Sequence, residues 1–184
     1  MENSKNSRSR DQIEWFESIV FALTVLVLVF TFVVRVAAVN GISMENTLQP
    51  GDRLLLQSVG YTPQRGDVVV TDDLIDYGKP LVKRVIALGG DVVDIDFQTG
   101  AVTVNGETLE EPYIRELTLL DEGQTFPLTV PQGKLFLMGD NRCQSKDSRS
   151  PEIGCIDERD ILGKAILRIF PLQKIGVIQS WKMN

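Results

Sequence analysis

The sequence predicts a mainly β, antiparallel domain carried on one N-terminal transmembrane helix. Three observations lead there. Ile19 to Val34 is an apolar run without a charge, and it precedes everything else. After Asn40 the chain breaks into short apolar runs separated by Gly, Pro, Asn and Asp. No window beyond residue 40 carries a convincing helical period, the nearest being a weak one over Pro112 to Leu120. The 184 residues leave room for one domain plus an anchor.

Residues 1–17 are polar and hold Lys5, Arg8 and Arg10, whereas no basic residue follows the apolar run until Arg53. That asymmetry predicts a cytoplasmic tail over 1–17 and an extracytoplasmic domain over 40–184. The run itself, taken as 18–39 with Arg35 near its outer end, would be about 33 Å long as a helix, enough to span a hydrocarbon core. The arginine stem can reach the interface from there. A cleavable leader ending near Ala37-Ala38-Val39 is the competing reading, but the run is long for such a segment and Arg35 falls awkwardly between it and the site. A buried helix of a soluble core is disfavoured because the run offers no polar face.

The β-like runs then follow in order. Arg53 to Gln57 comes after the turn Pro50-Gly51-Asp52, Asp67 to Thr71 after Arg65-Gly66, and Leu81 to Leu88 is closed by Gly89-Gly90-Asp91. A meander is expected from Val92 to Phe97, a turn at Thr99-Gly100, Val102 to Val104, and the hairpin signal Asn105-Gly106, whose residues tolerate positive φ. Thr125 to Val130, Lys134 to Met138 and Lys164 to Phe170 complete the set. There is no internal repeat and no low-complexity segment.

Composition excludes several chemistries. The chain contains no histidine, which rules out a Ser-His-Asp triad, a Cys-His pair and an H-E-x-x-H zinc site. A proton shuttle near neutral pH must therefore use a perturbed Lys, Asp, Glu, Tyr or Cys. The net charge of −6 argues against a nucleic-acid partner. Cys143 and Cys155 fit no metal spacing. In an extracytoplasmic domain they can form a disulfide or remain two thiols.

Three places can carry chemistry. Ser43 directly follows the apolar run; by itself it reads as a turn residue or as the N-cap of a short helix starting at Met44. Gly41, two residues earlier, permits close approach of another backbone. Lys83 shares a strand face with Leu81, Val85 and Ala87, and Arg84 shares the other with Val82, Ile86 and Leu88. A lysine among apolar neighbours loses proton affinity, although an edge lysine that blocks aggregation is the plainer reading of this strand alone. The stretch Gly139 to Arg149 is dense in hydrogen-bonding side chains and suits either a solvated loop or the orienting of other groups.

Taken together and in order, these pieces resemble the bacterial type I signal peptidases, the membrane-anchored Ser/Lys proteases. Gly41-Ile42-Ser43-Met44-Glu45-Asn46-Thr47-Leu48 is similar to their serine box S-M-x-P-T-L, and Arg65-Gly66-Asp67-Val68-Val69 to the next box. Lys83 to Asp91 resembles the lysine box, and Gly139-Asp140-Asn141-Arg142 with Ser145, Asp147, Ser148 and Arg149 resembles G-D-N-R-x-x-S-x-D-S-R. The resemblance implies an antiparallel β catalytic domain with a segment of about 92–136 inserted before the last box. It implies Ser43 as acylating nucleophile, Lys83 as general base and Ser145 hydrogen-bonded to that lysine. Asp147 and Arg149 would hold the loop, with Arg84 in the same ionic cluster. Gly41, Ile42, Met44, Leu81 and Val82 would border the substrate cleft. The substrates implied are exported preproteins, cut after small residues at the edge of a cell membrane, with membrane lipid as the other partner and with neither cofactor nor metal.

Two positions depart from the pattern. Asn46 stands where the family has proline, which leaves the turn freer. Gly41 stands where some members place a serine hydroxyl for the oxyanion, which leaves the Ser43 backbone N–H as the expected donor. Asn46 also invites an alternative, a tethered protein that binds signal peptides without cutting them. A self-cleaving Ser/Lys repressor would need a DNA-binding region where the apolar run lies, and a sortase-like enzyme would need histidine.

Overall fold

The computed structural model describes residues 13–27, 34–72 and 78–181. The chain divides into two compact units, Met1–Arg35 and Val36–Asn184. In the first, 13–27 is helical. Trp15, Phe16 and Phe21 are exposed along it. Its two hydroxyls bond back to the helix, Ser18 donating to Glu14 O and Thr24 to Val20 O, both at 2.8 Å, while Glu14 and Glu17 remain exposed. No helix among the described residues is long and apolar enough to cross a membrane. Residues 1–12 of the expected tail and 28–33 of the expected span lie outside the described residues.

The expected 18–39 helix does not extend to its C-terminal end. Val34–Ala38 forms strand β1 instead, at one edge of the large sheet, and Val39 is buried in the core behind it. Hydropathy cannot separate the two cases: a β-branched run such as Val33-Val34-Arg35-Val36 serves a sheet edge as readily as a span. The β domain therefore begins before residue 40.

The second unit is two antiparallel sheets. The larger contains β2 (Arg53–Gln57), β3 (Val68–Thr71), β4 (Val82–Leu88), β9 (Lys134–Met138), β10 (Ile156–Asp157), β11 (Ile161–Phe170) and β12 (Gly176–Val177), in the order β1-β2-β11-β3-β4-β9-β10 with β12 paired to β11. The smaller, β7-β6-β5-β8, comes from β5 (Val92–Asp96), β6 (Ala101–Val104), β7 (Glu107–Thr108) and β8 (Leu128–Thr129). These strands fall within the 92–136 stretch, and the Asn-Gly hairpin is present, with Asn105 at φ 54° and Gly106 at φ 84°. The short strands β7, β10 and β12 carry too few residues to show a period and were not expected. The Pro112 to Leu120 window contains turns and bends rather than a helix.

Ile86, Phe136 and Met138 of the large sheet pack with Val93, Ile95 and Val102 of the small one, fixing the insertion to the body. A second core around Leu54, Leu56, Val68 and Val70 also takes in Met44 and Leu48. The face assignment on β4 holds only partway. Val69 pairs with Lys83, and Val69 and Val85 belong to one cluster, as alternation requires. A register shift between Val85 and Ala87 then puts Ala87 with Ile86 and returns Leu88 to the side of Val85. Cys143 and Cys155 are free thiols: Cys143 reaches towards Leu117 O, and Cys155 packs in the core between the sheets.

Candidate active site

Ser43 lies on a single helical turn between β1 and β2. Glu45 N–H donates to Ile42 O at 3.0 Å and Leu48 N–H to Met44 O at 2.8 Å. Met44 and Leu48, both fully buried, pin the turn from beneath. The N-cap reading of Ser43 fails at the side chain. Its Oγ accepts from Lys83 Nζ at 2.7 Å, a contact between residues forty positions apart.

Lys83 reaches that position from the middle of the large sheet, where it is 3% exposed. Burial lowers its pKa to about 8, against the pull of Asp147, Glu122 and Asp140, which favour the charged amine. A hydroxyl within hydrogen-bonding distance of an amine so poised can be deprotonated near neutral pH.

The loop after β9 holds the surroundings in place. Arg149 donates from Nε to Asp147 Oδ1 at 2.8 Å and from Nη2 to Asp147 Oδ2 at 2.9 Å. Gly139 N–H also donates to Oδ2, at 2.9 Å. Burial by itself would raise the Asp147 carboxyl, but Arg149 and the donors from Ser145 and Gly139 keep it below the usual carboxylate range. Ser145, expected to bond the lysine, gives its hydroxyl to Asp147 Oδ2 at 2.7 Å. Arg84, expected in the same cluster, forms a separate one: it meets Asp140 at 2.8 and 2.6 Å and lies 4.0 Å from the centre of the Tyr113 ring. The reason is the strand period. Adjacent residues of β4 leave opposite faces, so Lys83 and Arg84 cannot join one network.

Sequence reasoning gave no role to Asn141, which pins the serine turn. Its backbone N–H donates to Ser43 O at 2.9 Å and its Nδ2 to Ile42 O at 3.1 Å. Asp140 accepts from Thr47 as well as from Arg84. Both belong to the G-D-N-R stretch, so a signal was present. No signal marked the irregular strap between β7 and β8. Arg115 pairs with Glu45, Asn46 Nδ2 donates to Tyr113 O at 3.2 Å, Arg142 meets Glu111, and Arg149 Nη2 lies 3.0 Å from Glu122 Oε1. The strap thus grips both the serine turn and the loop behind the lysine.

A cleft of about 740 Å³ opens beside the pair, and Gly41, Ile42, Met44, Leu81 and Val82 all border it. Met44 does so only marginally, being 1% exposed. Among the described residues, no protein acceptor takes the Ser43 N–H.

A family model described as signal peptidase, peptidase S26, matches residues 12–170. Signal peptidase I of Bacillus licheniformis is 34% identical over 184 residues, 95% of this chain and 97% of that protein. Signal peptidase IB of Staphylococcus aureus is 34% identical over 185 residues, covering 90% of this chain and 93% of the relative. Among solved structures, a signal peptidase I from Enterococcus faecalis is 29% identical and covers 56% of this chain and 97% of its own, with a TM-score of 0.47.

Proposed function

The chain belongs to the signal peptidase, peptidase S26 family, and from that premise we propose that it is a membrane-bound serine endopeptidase that cuts signal peptides from exported preproteins with a Ser43/Lys83 dyad. The observation that carries this reading is the 2.7 Å contact between a buried amine and the hydroxyl on the turn after β1.

Neutral Lys83 accepts the Ser43 proton as Oγ attacks the scissile carbonyl, and the resulting ammonium protonates the leaving amine. Water then attacks the acyl-enzyme as Lys83 takes its proton, and the ammonium returns that proton to Ser43 Oγ as the acyl C–Oγ bond breaks and the carboxyl product leaves. The Ser43 N–H, free of a protein acceptor among the described residues, is the donor for the developing oxyanion, and Gly41 keeps the approach open. Asp147, Arg149 and Ser145 hold the loop behind the lysine, while Arg84 and Asp140 brace the serine turn through Thr47. The preprotein lies extended in the cleft between Gly41-Ile42 and Leu81-Val82, where shallow walls favour small residues at the cleaved position.

Membrane attachment rests on the apolar run that precedes β1 and on the exposed apolar side chains of the 13–27 helix, such as Trp15, Phe16, Phe21 and Val27. The basic tail favours a cytoplasmic N-terminus, with the β domain on the outer side. Assays of Ser43→Ala and Lys83→Ala on a preprotein test the assignment. Each should lower kcat by about 10⁴-fold or more, and undiminished processing by either variant rules the dyad out.

A further inference from the structure

We propose that Glu122, on the strap inserted between β7 and β8, is a positioning residue for Lys83: its carboxylate shares Arg149 with Asp147 and thereby sets how firmly the lysine holds its proton. This rests on the reading of Lys83 as the base and extends it to a residue outside every motif of the sequence.

The geometry comes first. The strap is tied to the loop behind the lysine by Gln124 N–H to Arg149 O at 3.0 Å and by Arg149 Nη1 to Leu120 O at 3.4 Å. Those bonds bring Glu122 Oε1 to 3.0 Å from Arg149 Nη2, with the glutamate side chain only 11% exposed. The guanidinium is already committed. Nη2 donates to Asp147 Oδ2, Arg142 O and Ser145 O, and Nε to Asp147 Oδ1. Glu122 Oε1 is accordingly buried without a hydrogen-bond donor. Its interaction with Arg149 is one of charge alone, and one cation faces two carboxylates.

That count matters for the lysine. Of the charged groups that act on the lysine, Asp147 and then Glu122 favour the ammonium, and both exceed the opposing effect of Arg149. Other charges also face Lys83: Asp140 favours the ammonium, Arg149 opposes it, and Lys79 and Lys146 stand on the wall of the same cleft. Glu122 shows the reciprocal effect. Burial and then the Asp147 charge raise its pKa, while Arg149, the Asp147 backbone N–H and last Lys83 lower it. By favouring the ammonium, Glu122 works against the burial that lowers the proton affinity of the lysine.

The test uses Glu122→Gln, which removes the charge and keeps the shape, in the full chain in detergent or lipid. The acid limb of kcat/KM on a preprotein should move down by about half a pH unit, so that activity on that limb rises about threefold, and Glu122→Asp should bring the limb part of the way back. A limb that stays or moves up, in a variant with the native melting temperature, overturns the proposal. A second measurement does not depend on the variant folding. In the unmodified chain, NMR titration of the Lys83 amine should show a small additional step as a carboxylate protonates below neutral pH, and its absence also overturns the proposal. If the unmodified chain cleaves no preprotein, the protease reading fails, but the titration still decides the role of Glu122.

Discussion

Gly139 and Ser145 lie so close that a Cβ on the glycine would fall 2.2 Å from the serine Oγ, and 2.5 Å from Ser43 O on its other side. The strand end that carries Gly139 is thus packed between the Ser43 backbone and the loop that holds Asp147. Gly139→Ala should move Ser43 or Ser145 by a large fraction of an ångström. We expect kcat on a preprotein to fall by about 10²-fold, with a stability loss of about 1–3 kcal/mol in denaturant unfolding. Wild-type turnover by this variant would mean the contact is slack.

The pH dependence follows from the burial of Lys83. An exposed lysine titrates near 10.4, whereas this one is lowered to about 8 because burial disfavours the ammonium. With Lys83 as the proposed base, the neutral amine is the active form, so kcat/KM should rise with pH. It should increase about tenfold between pH 7 and pH 9 and then level off, because roughly one lysine in eleven is neutral at the first and ten in eleven at the second. A profile flat from pH 6 to 10 excludes a titrating lysine base.

Asn46 sits at φ 92°, a conformation closed to proline. The family's residue therefore cannot simply be restored here. Asn46→Pro should cost about 1–3 kcal/mol and lower kcat, whereas Asn46→Gly, which tolerates the same φ, should remain close to native stability. Melting temperatures of the two variants, measured together, separate backbone conformation from the loss of the amide bond to Tyr113 O.

Arg84 and Asp140 are both fully buried. Asp140→Asn would leave the guanidinium uncompensated and release Thr47 from its acceptor. We expect a loss of about 3–5 kcal/mol, read from urea unfolding. A loss below about 1 kcal/mol would mean that water or Gly66 O, already 2.7 Å from Nη1, satisfies the arginine.

The longer strands, from Arg53–Gln57 to the Lys164–Phe170 part of β11, and the Asn105-Gly106 hairpin were legible in the sequence because alternation and turn chemistry are local properties. The same is true of Ser43 and Lys83, which stand in ordered motifs. By itself the sequence determined that any base here must be something other than histidine, that the domain is β, and that an apolar segment leads into it. Tertiary structure decided the rest. It placed Val34–Ala38 at a sheet edge, reversed the alternation of β4 at a bulge, and sent Ser145 to Asp147 and Arg84 to Asp140. It also brought Glu122 and Asn46 to the site through a strap with no regular structure. A residue's own period fixes which side it leaves the chain from. What stands there to meet it, and how dry the meeting place is, depends on segments far along the chain, so the proton affinity of Lys83 belongs to the packed sheet rather than to the motif around it.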